Sequence, residues 1–203
     1  MRPARHLVVF LRVPRLGRVK SRLAAGIGPV AALQFHRTNS ARLLRRLVRD
    51  RRWRLALWVT PDHMRVRWPV AAPRRGQGSG DLGQRMARVF IDLPPGPAVI
   101  IGADIPAITP DHIAAAFRAL GHSEAVFGPA TDGGYWLVGL RRRPRVPHGL
   151  FAAVRWSSAD ALADTLKGLP RGMSVVRLET LSDIDDADDY RHWFGQARRA
   201  ASP

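Results

Sequence analysis

Residues 98–112 read AVIIGADIPAITPDH, and the parsing of this stretch decides the fold. Val99, Ile100 and Ile101 form a short β-branched apolar run, which favours a pleated strand. The run stops at Gly102, and Asp104 follows in a turn fixed by Pro106. Thr109-Pro110 then opens a helix, with a hydroxyl residue at the cap and proline at the first helical position. Residues 98–112 therefore read as a strand, a turn carrying an aspartate, and a helix.

The same grammar recurs outward in both directions. Strands are predicted at 6–11 (HLVVFL), 55–60 (LALWVT), 98–102, 124–129 (EAVFGP), 135–140 (YWLVGL) and 174–179 (SVVRLE). Helices are predicted to start after Gly28 with Pro29 at the first position, at Asp81, at Thr109, within SSAD (157–160) and at Asp186. Strands alternating with helices predict an α/β fold, a mostly parallel sheet covered by helices on both faces. At 203 residues one domain spanning 1–203 is expected, with 68–80 (WPVAAPRRGQGSG) a flexible loop and the tail 196–203 frayed.

The chain has no cysteine, which excludes disulfides, zinc–thiolate sites and thiol nucleophiles. Its first apolar run, LVVFL, is too short for a leader core or a membrane span, so a cytoplasmic protein is expected. The formal net charge of +17 raises the possibility of a basic nucleic-acid-binding module. Residues 1–75 hold 19 of the 33 basic residues against only Asp50 and Asp62, and the remainder is balanced. Much of that excess lies in RLLRRLVRDRRWR (42–54), which reads as the outer face of an amphipathic helix with Leu43, Leu44, Leu47 and Val48 inward. A solvated face is the simpler reading, and no nucleic-acid motif accompanies the charge.

In open α/β sheets ligands bind beyond the carboxyl ends of the strands, and the loops there carry the informative residues. After the first strand comes PRLGRVKSRLAAG (14–26). Gly17 frees a tight turn, and Arg18, Lys20 and Arg22 lead into a short helix, an arrangement suited to phosphate. Only Lys20 and Lys167 are lysines among the 33 basic residues, so position 20 needs a slim, mobile ammonium that arginine does not supply. Asp104 is placed to hold a divalent ion that bridges phosphate oxygens.

LSDIDDADDY (181–190) follows the last predicted strand. Asp186 is a candidate N-cap, which leaves Asp183 and Asp185 free to reach the same metal as Asp104. An EF-hand is excluded, because Asp188 and Phe194 stand where its loop requires glycine and glutamate. In TDGGY (131–135), Gly133 and Gly134 allow a ligand close to the backbone. Asp132 there is a candidate base or acceptor-orienting group, with a tight turn as the alternative. GSGDLG (78–83) matches a dinucleotide-binding spacing, but the two prolines before it argue against the required preceding strand. Gly80, Asp81 and Gly83 are read instead as a helix-capping loop that closes over a nucleotide.

Taken in order, VVFLRVPRLGRVKSRL, GSGDLGQRM, VIIGADIPAITP, FGPATDGGYWLVGL, VRWSS and LSDIDDADDY resemble the bacterial DUF2064 family over roughly residues 5–195. The family includes the radical-SAM and selenodomain-associated transferase type, within the GT-A-like nucleotide-diphospho-sugar transferases. Its members are related to phospholactate and molybdenum-cofactor guanylyltransferases. The resemblance implies a three-layer α/β/α GT-A-like fold that binds a nucleotide at the strand ends. It implies that the basic loop, including Arg12 where the family tends to have lysine, grips phosphates. It also implies that Asp104 and Asp185 hold magnesium or manganese, Asp185 standing before DADD where relatives have TPED. Gly133, Gly134, Tyr135 and Trp156 would then face the acceptor.

The expected activity is a metal-dependent transferase using a nucleotide donor and a small-molecule acceptor. Nucleotidyl transfer from a nucleoside triphosphate is preferred over glycosyl transfer from a nucleotide sugar, because a triphosphate needs the extra cations of the basic loop. Lys20, Asp104 and Asp132 are the expected catalytic residues.

Overall fold

A computed structural model describes residues 3–64, 66–142, 146–147 and 149–201, with side chains through residue 195. Seven strands form one sheet: β1 (His6–Arg12), β2 (Arg54–Thr60), β3 (Arg74–Gly76), β4 (Ala98–Ile101), β5 (Ala125–Pro129), β6 (Tyr135–Leu140) and β7 (Val175–Arg177). The spatial order is β3-β2-β1-β4-β6-β5-β7. All neighbours pair in parallel except β6, which runs antiparallel between β4 and β5.

The period-2 alternation of a strand divides β1 between two cores. Leu7, Val9 and Leu11 enter one core with Leu43, Leu44 and Leu47 of α2 (Pro29–Val48) and Ile113 and Phe117 of α4 (Pro110–Ala119). Val8 enters the other, with Met86, Val89 and Phe90 of α3 (Leu82–Asp92) and the flank of α5 (Ala161–Lys167). This is the three-layer α/β/α arrangement. A third, smaller cluster joins α1 (Ser21–Ile27) and the start of α2 to α6 (Ala187–Ala201) through Leu23, Phe35 and Ile184.

Three expectations are corrected. The 68–80 segment is not wholly loop, since Arg74–Gly76 pairs with Leu57–Val59 as the edge strand β3. A strand does therefore precede GSGDLG. That spacing still lacks its dinucleotide partner, because Asp104 follows β4, which β1 and β2 separate from β3. Val48 is 37% exposed instead of facing inward, since it falls at the last turn of α2. Helix α6 continues to Ala201, and Ser202 and Pro203 of the tail lie outside the described residues. Among the described residues no helix is long and apolar enough to cross a membrane.

Candidate functional site

Strands β1, β2 and β4 all end at one edge of the sheet, and their loops enclose a cleft of about 430 Å³. Arg12, Asp104, Asp132, Gly134, Tyr135, Trp156, Asp183 and Asp185 contribute to its walls, so half of the expected site residues converge there.

Lys20 is the centre of the charge arrangement. Its backbone is left-handed (φ 49°, ψ 52°), a conformation costing a β-carbon-bearing residue about 1–2 kcal/mol. That geometry turns the side chain inward, where it is only 6% exposed. Its Nζ lies 3.0 Å from Asp104 Oδ1 and donates at 2.7 Å to Asp185 Oδ1. One ammonium thus joins the loops after β1 and β4 to the entrance of α6. Burial works against the Lys20 charge, but Asp104 and Asp185 outweigh it and hold the amine above its usual range. Burial likewise opposes the Asp185 charge, and the Lys20 contact outweighs it, holding that carboxyl low. Arg22 Nη2 adds a looser contact at 3.8 Å to Asp185.

The neighbouring carboxyl behaves oppositely. Burial, then the charges of Asp185 and Asp132, push Asp183 up to about 6. Crowded carboxylates converging on one cation form an oxygen donor set of the kind magnesium takes, one or two carboxylates completed by phosphate and water. Asp104 and Asp185, both paired with Lys20, are the residues that could hold such an ion. Among the described residues no three His, Cys, Asp or Glu side chains form a self-sufficient metal cage. The remaining acids of this segment are occupied: Asp186 Oδ1 accepts from the Asp188 and Asp189 amides, the expected N-cap.

Other expected residues have local structural work. Arg12 Nη1 donates to the Arg18 carbonyl at 3.4 Å, bracing the basic loop, whose Arg18 is exposed. Gly17 has φ 69° with open space around it, so the turn, not close approach, requires glycine. Asp81 and Gln84 form a reciprocal capping box at α3, and a β-carbon on Gly80 (φ 99°) would collide with Gln84. Gly83 packs its helix against Phe151 and Trp156. Asp132 Oδ1 accepts from the Gly134 amide at 2.8 Å, closing a tight turn, and Gly133 packs against Ala159.

Sequence reasoning missed the supports behind the cluster. Asn39 of α2, 7% exposed, donates to the Ala103 carbonyl at 2.8 Å, beside Asp104. Arg46 donates to the Ile108 carbonyl at 2.6 Å, on the far side of that turn. His36 Nε2 donates to the Arg12 carbonyl at 3.1 Å, and its Nδ1 lies 4.0 Å from Asp104 Oδ1. Gln77 is also buried, reaching the Leu11 and Trp58 carbonyls at 3.2 and 2.9 Å. For His36 and Asn39 the signal was a polar residue at an inward position of an apolar helix pattern; Arg46, exposed, and Gln77, in a glycine-rich segment, carried none.

On the far wall, Arg155 grips Asp164 with Nε at 2.8 Å and Nη2 at 2.9 Å, fixing the segment that carries Trp156 and Ser157. This contact holds the Asp164 carboxyl at about 2. The Tyr135 ring packs at 6.4 Å from Trp156, and burial pushes its phenol up.

Known proteins place this architecture. A family model described as "Uncharacterized protein conserved in bacteria (DUF2064)" matches residues 43–158. A crystal structure from Desulfovibrio desulfuricans G20, provisionally labelled a nucleotide-diphospho-sugar transferase, is 27% identical with a TM-score of 0.88. That match covers 97% of this chain and 89% of the other. The 4-diphosphocytidyl-2C-methyl-D-erythritol synthase of Anaerococcus prevotii DSM 20548 is 9% identical, with a TM-score of 0.60 over 96% of this chain and 98% of its own. A CMP:2-keto-3-deoxy-manno-octonic acid synthetase complexed with CTP is 10% identical, with a TM-score of 0.55 over 98% and 100%. At such identities the last two speak to fold alone. No curated protein sequence matches the chain.

Proposed function

The chain belongs to the DUF2064 family, and on that footing we propose that it is a transferase that uses a nucleotide donor and a divalent cation at the strand-end cleft. The observation that carries this reading is the convergence of Lys20, Asp104 and Asp185. Three loops distant in sequence meet there on the Lys20 ammonium, and Asp104 and Asp185 also line the cleft beside polar and aromatic groups.

In this reading Lys20, Arg18 and Arg22 bind the donor phosphates. Lys20 follows the charge that develops on the leaving group, which a preorganised cation stabilises in the transition state. Asp104 and Asp185 would hold a magnesium or manganese ion, which would supply further neutralisation of phosphate charge. Asn39 and Arg46 keep the Asp104 turn in place. Asp132, together with Gly133 and Gly134, orients a small-molecule acceptor, which lies against Tyr135 and Trp156. Gly80, Asp81 and Gly83 act at one remove, by fixing the start of α3 beside the donor.

Nucleotidyl transfer is the favoured subtype, because the basic loop offers more cations than a diphosphate requires. Glycosyl transfer is the second reading, and the label of the Desulfovibrio structure favours it. Incubation with magnesium and either nucleoside triphosphates or nucleotide sugars separates the two. Release of pyrophosphate supports the first, and release of nucleoside diphosphate supports the second.

A further inference from the structure

Part of the charge excess of the first 75 residues lines a second groove, of about 690 Å³, between α2 and the crossover from β2 to β3. Arg37, Arg42 and Arg45 line it from the helix, and Arg67 and Trp68 from the crossover. No carboxylate lines this groove. Both acids of the segment are engaged elsewhere: Asp50 is paired with Arg52, and Asp62 accepts from the Gly78 amide at 2.9 Å. Among the described residues none of the four arginines has a carboxylate partner.

A second, independent observation lies between these cations. Ser40 is 2% exposed and His36 is 5% exposed, and both line the groove. Ser40 Oγ and the Trp68 indole nitrogen are buried and have no hydrogen-bond partner among the described residues. A helical serine ordinarily bonds back to the carbonyl four residues earlier, and buried polar atoms are ordinarily satisfied. His36 is turned the other way: its Nε2 donates to the Arg12 carbonyl and its Nδ1 lies 4.0 Å from Asp104 Oδ1, toward the strand-end cleft. The lining thus offers cations and two unused donors, the Ser40 hydroxyl and the Trp68 indole N–H.

We propose that this groove binds a small phosphorylated molecule bearing hydroxyl groups, at a site separate from the strand-end cleft. The arginines take the phosphate, as planar forks suited to its oxygens. The Trp68 N–H donates to a ligand oxygen, and Ser40 Oγ, a hydroxyl, donates to a ligand oxygen or accepts from a ligand hydroxyl. The unpaired atoms are buried, so only a ligand small enough to enter reaches them; a nucleic-acid backbone would engage the exposed arginines alone. The proposal does not depend on the transferase reading.

The test is calorimetric titration with ribose 5-phosphate at low salt in EDTA, which suppresses cation-dependent binding in the strand-end cleft. The expected result is one binding event. It weakens at least about tenfold in Arg42→Gln/Arg45→Gln, weakens several-fold in Ser40→Ala, and stays within about twofold in Arg18→Gln/Arg22→Gln. The first two variants alter exposed or small side chains, and an unchanged melting temperature confirms their folding. Three results overturn the proposal. One is no binding by the wild type. Another is loss of binding in the Arg18/Arg22 variant but not in the groove variants. The third is binding of a 20-nucleotide single strand, lost in the groove variants, without binding of ribose 5-phosphate.

Discussion

Lys20 and Asp185 are separated by 165 positions in sequence, yet Lys20 Nζ donates to Asp185 Oδ1 at 2.7 Å. The same nitrogen lies 3.0 Å from Asp104 Oδ1, so one ammonium ties the first, fourth and last loops of the site together.

This geometry makes Lys20 intolerant of a change that keeps its charge. The guanidinium of Lys20→Arg is broader and planar, and the pocket is nearly closed. Lys20→Arg is expected to lower kcat by about tenfold or more, whereas Arg15→Lys, at an exposed position, leaves it within about twofold. Steady-state kinetics of the two variants decides; equal effects would show that the Lys20 ammonium has no part in turnover beyond its ion pairs.

Removing the ammonium leaves two carboxylates facing one another. Lys20→Met is expected to cost about 1–3 kcal/mol, below the fully buried limit because Asp104 is 52% exposed. Magnesium should then raise the melting temperature of this variant more than that of the wild type. A melt insensitive to the substitution would contradict the pairing.

The Asp104 turn depends on a residue that never reaches the cleft. Asn39→Ala leaves the Ala103 carbonyl without its buried donor, at an expected cost of about 1–3 kcal/mol in urea denaturation. A loss below about 0.5 kcal/mol would place water at that carbonyl instead.

Acid should loosen the opposite wall. The Asp164 carboxyl titrates near 2 when folded, against an ordinary value of 3.8. The unfolded chain therefore binds the proton first, so the contribution is present above about pH 4 and is lost as pH falls toward 2. Asp164→Asn should flatten the pH dependence of stability in that window. An unchanged slope would show that the Arg155 contact does not persist in solution.

Much of this was legible in the sequence for a definite reason. Asp104, Lys20 and Asp185 each lie in a loop reached from a strand end, and a parallel sheet gathers such loops at one edge. The direction of β6 was not legible, because YWLVGL is apolar throughout and side-chain pattern does not encode strand polarity. Nor was β3, whose Arg74-Arg75-Gly76 pairs through backbone alone at the sheet edge. His36, Asn39 and Ser40 sit inward on α2 among Phe35, Leu43 and Leu44. Polar side chains at inward helical positions imply buried partners, but helical spacing alone does not reveal which carbonyl or ligand supplies them.

The central claim is that Lys20, Asp104 and Asp185 receive nucleotide phosphates with a divalent cation. The most direct measurement is the melting temperature of wild type and Asp104→Asn with each nucleoside triphosphate and nucleotide sugar, with magnesium and with EDTA. The account predicts magnesium-dependent stabilisation of the wild type by at least one nucleotide, about 2.7 kcal/mol at a hundredfold excess over Kd, and its loss in Asp104→Asn. Stabilisation by no nucleotide of either class, or equal stabilisation of the variant, would contradict it.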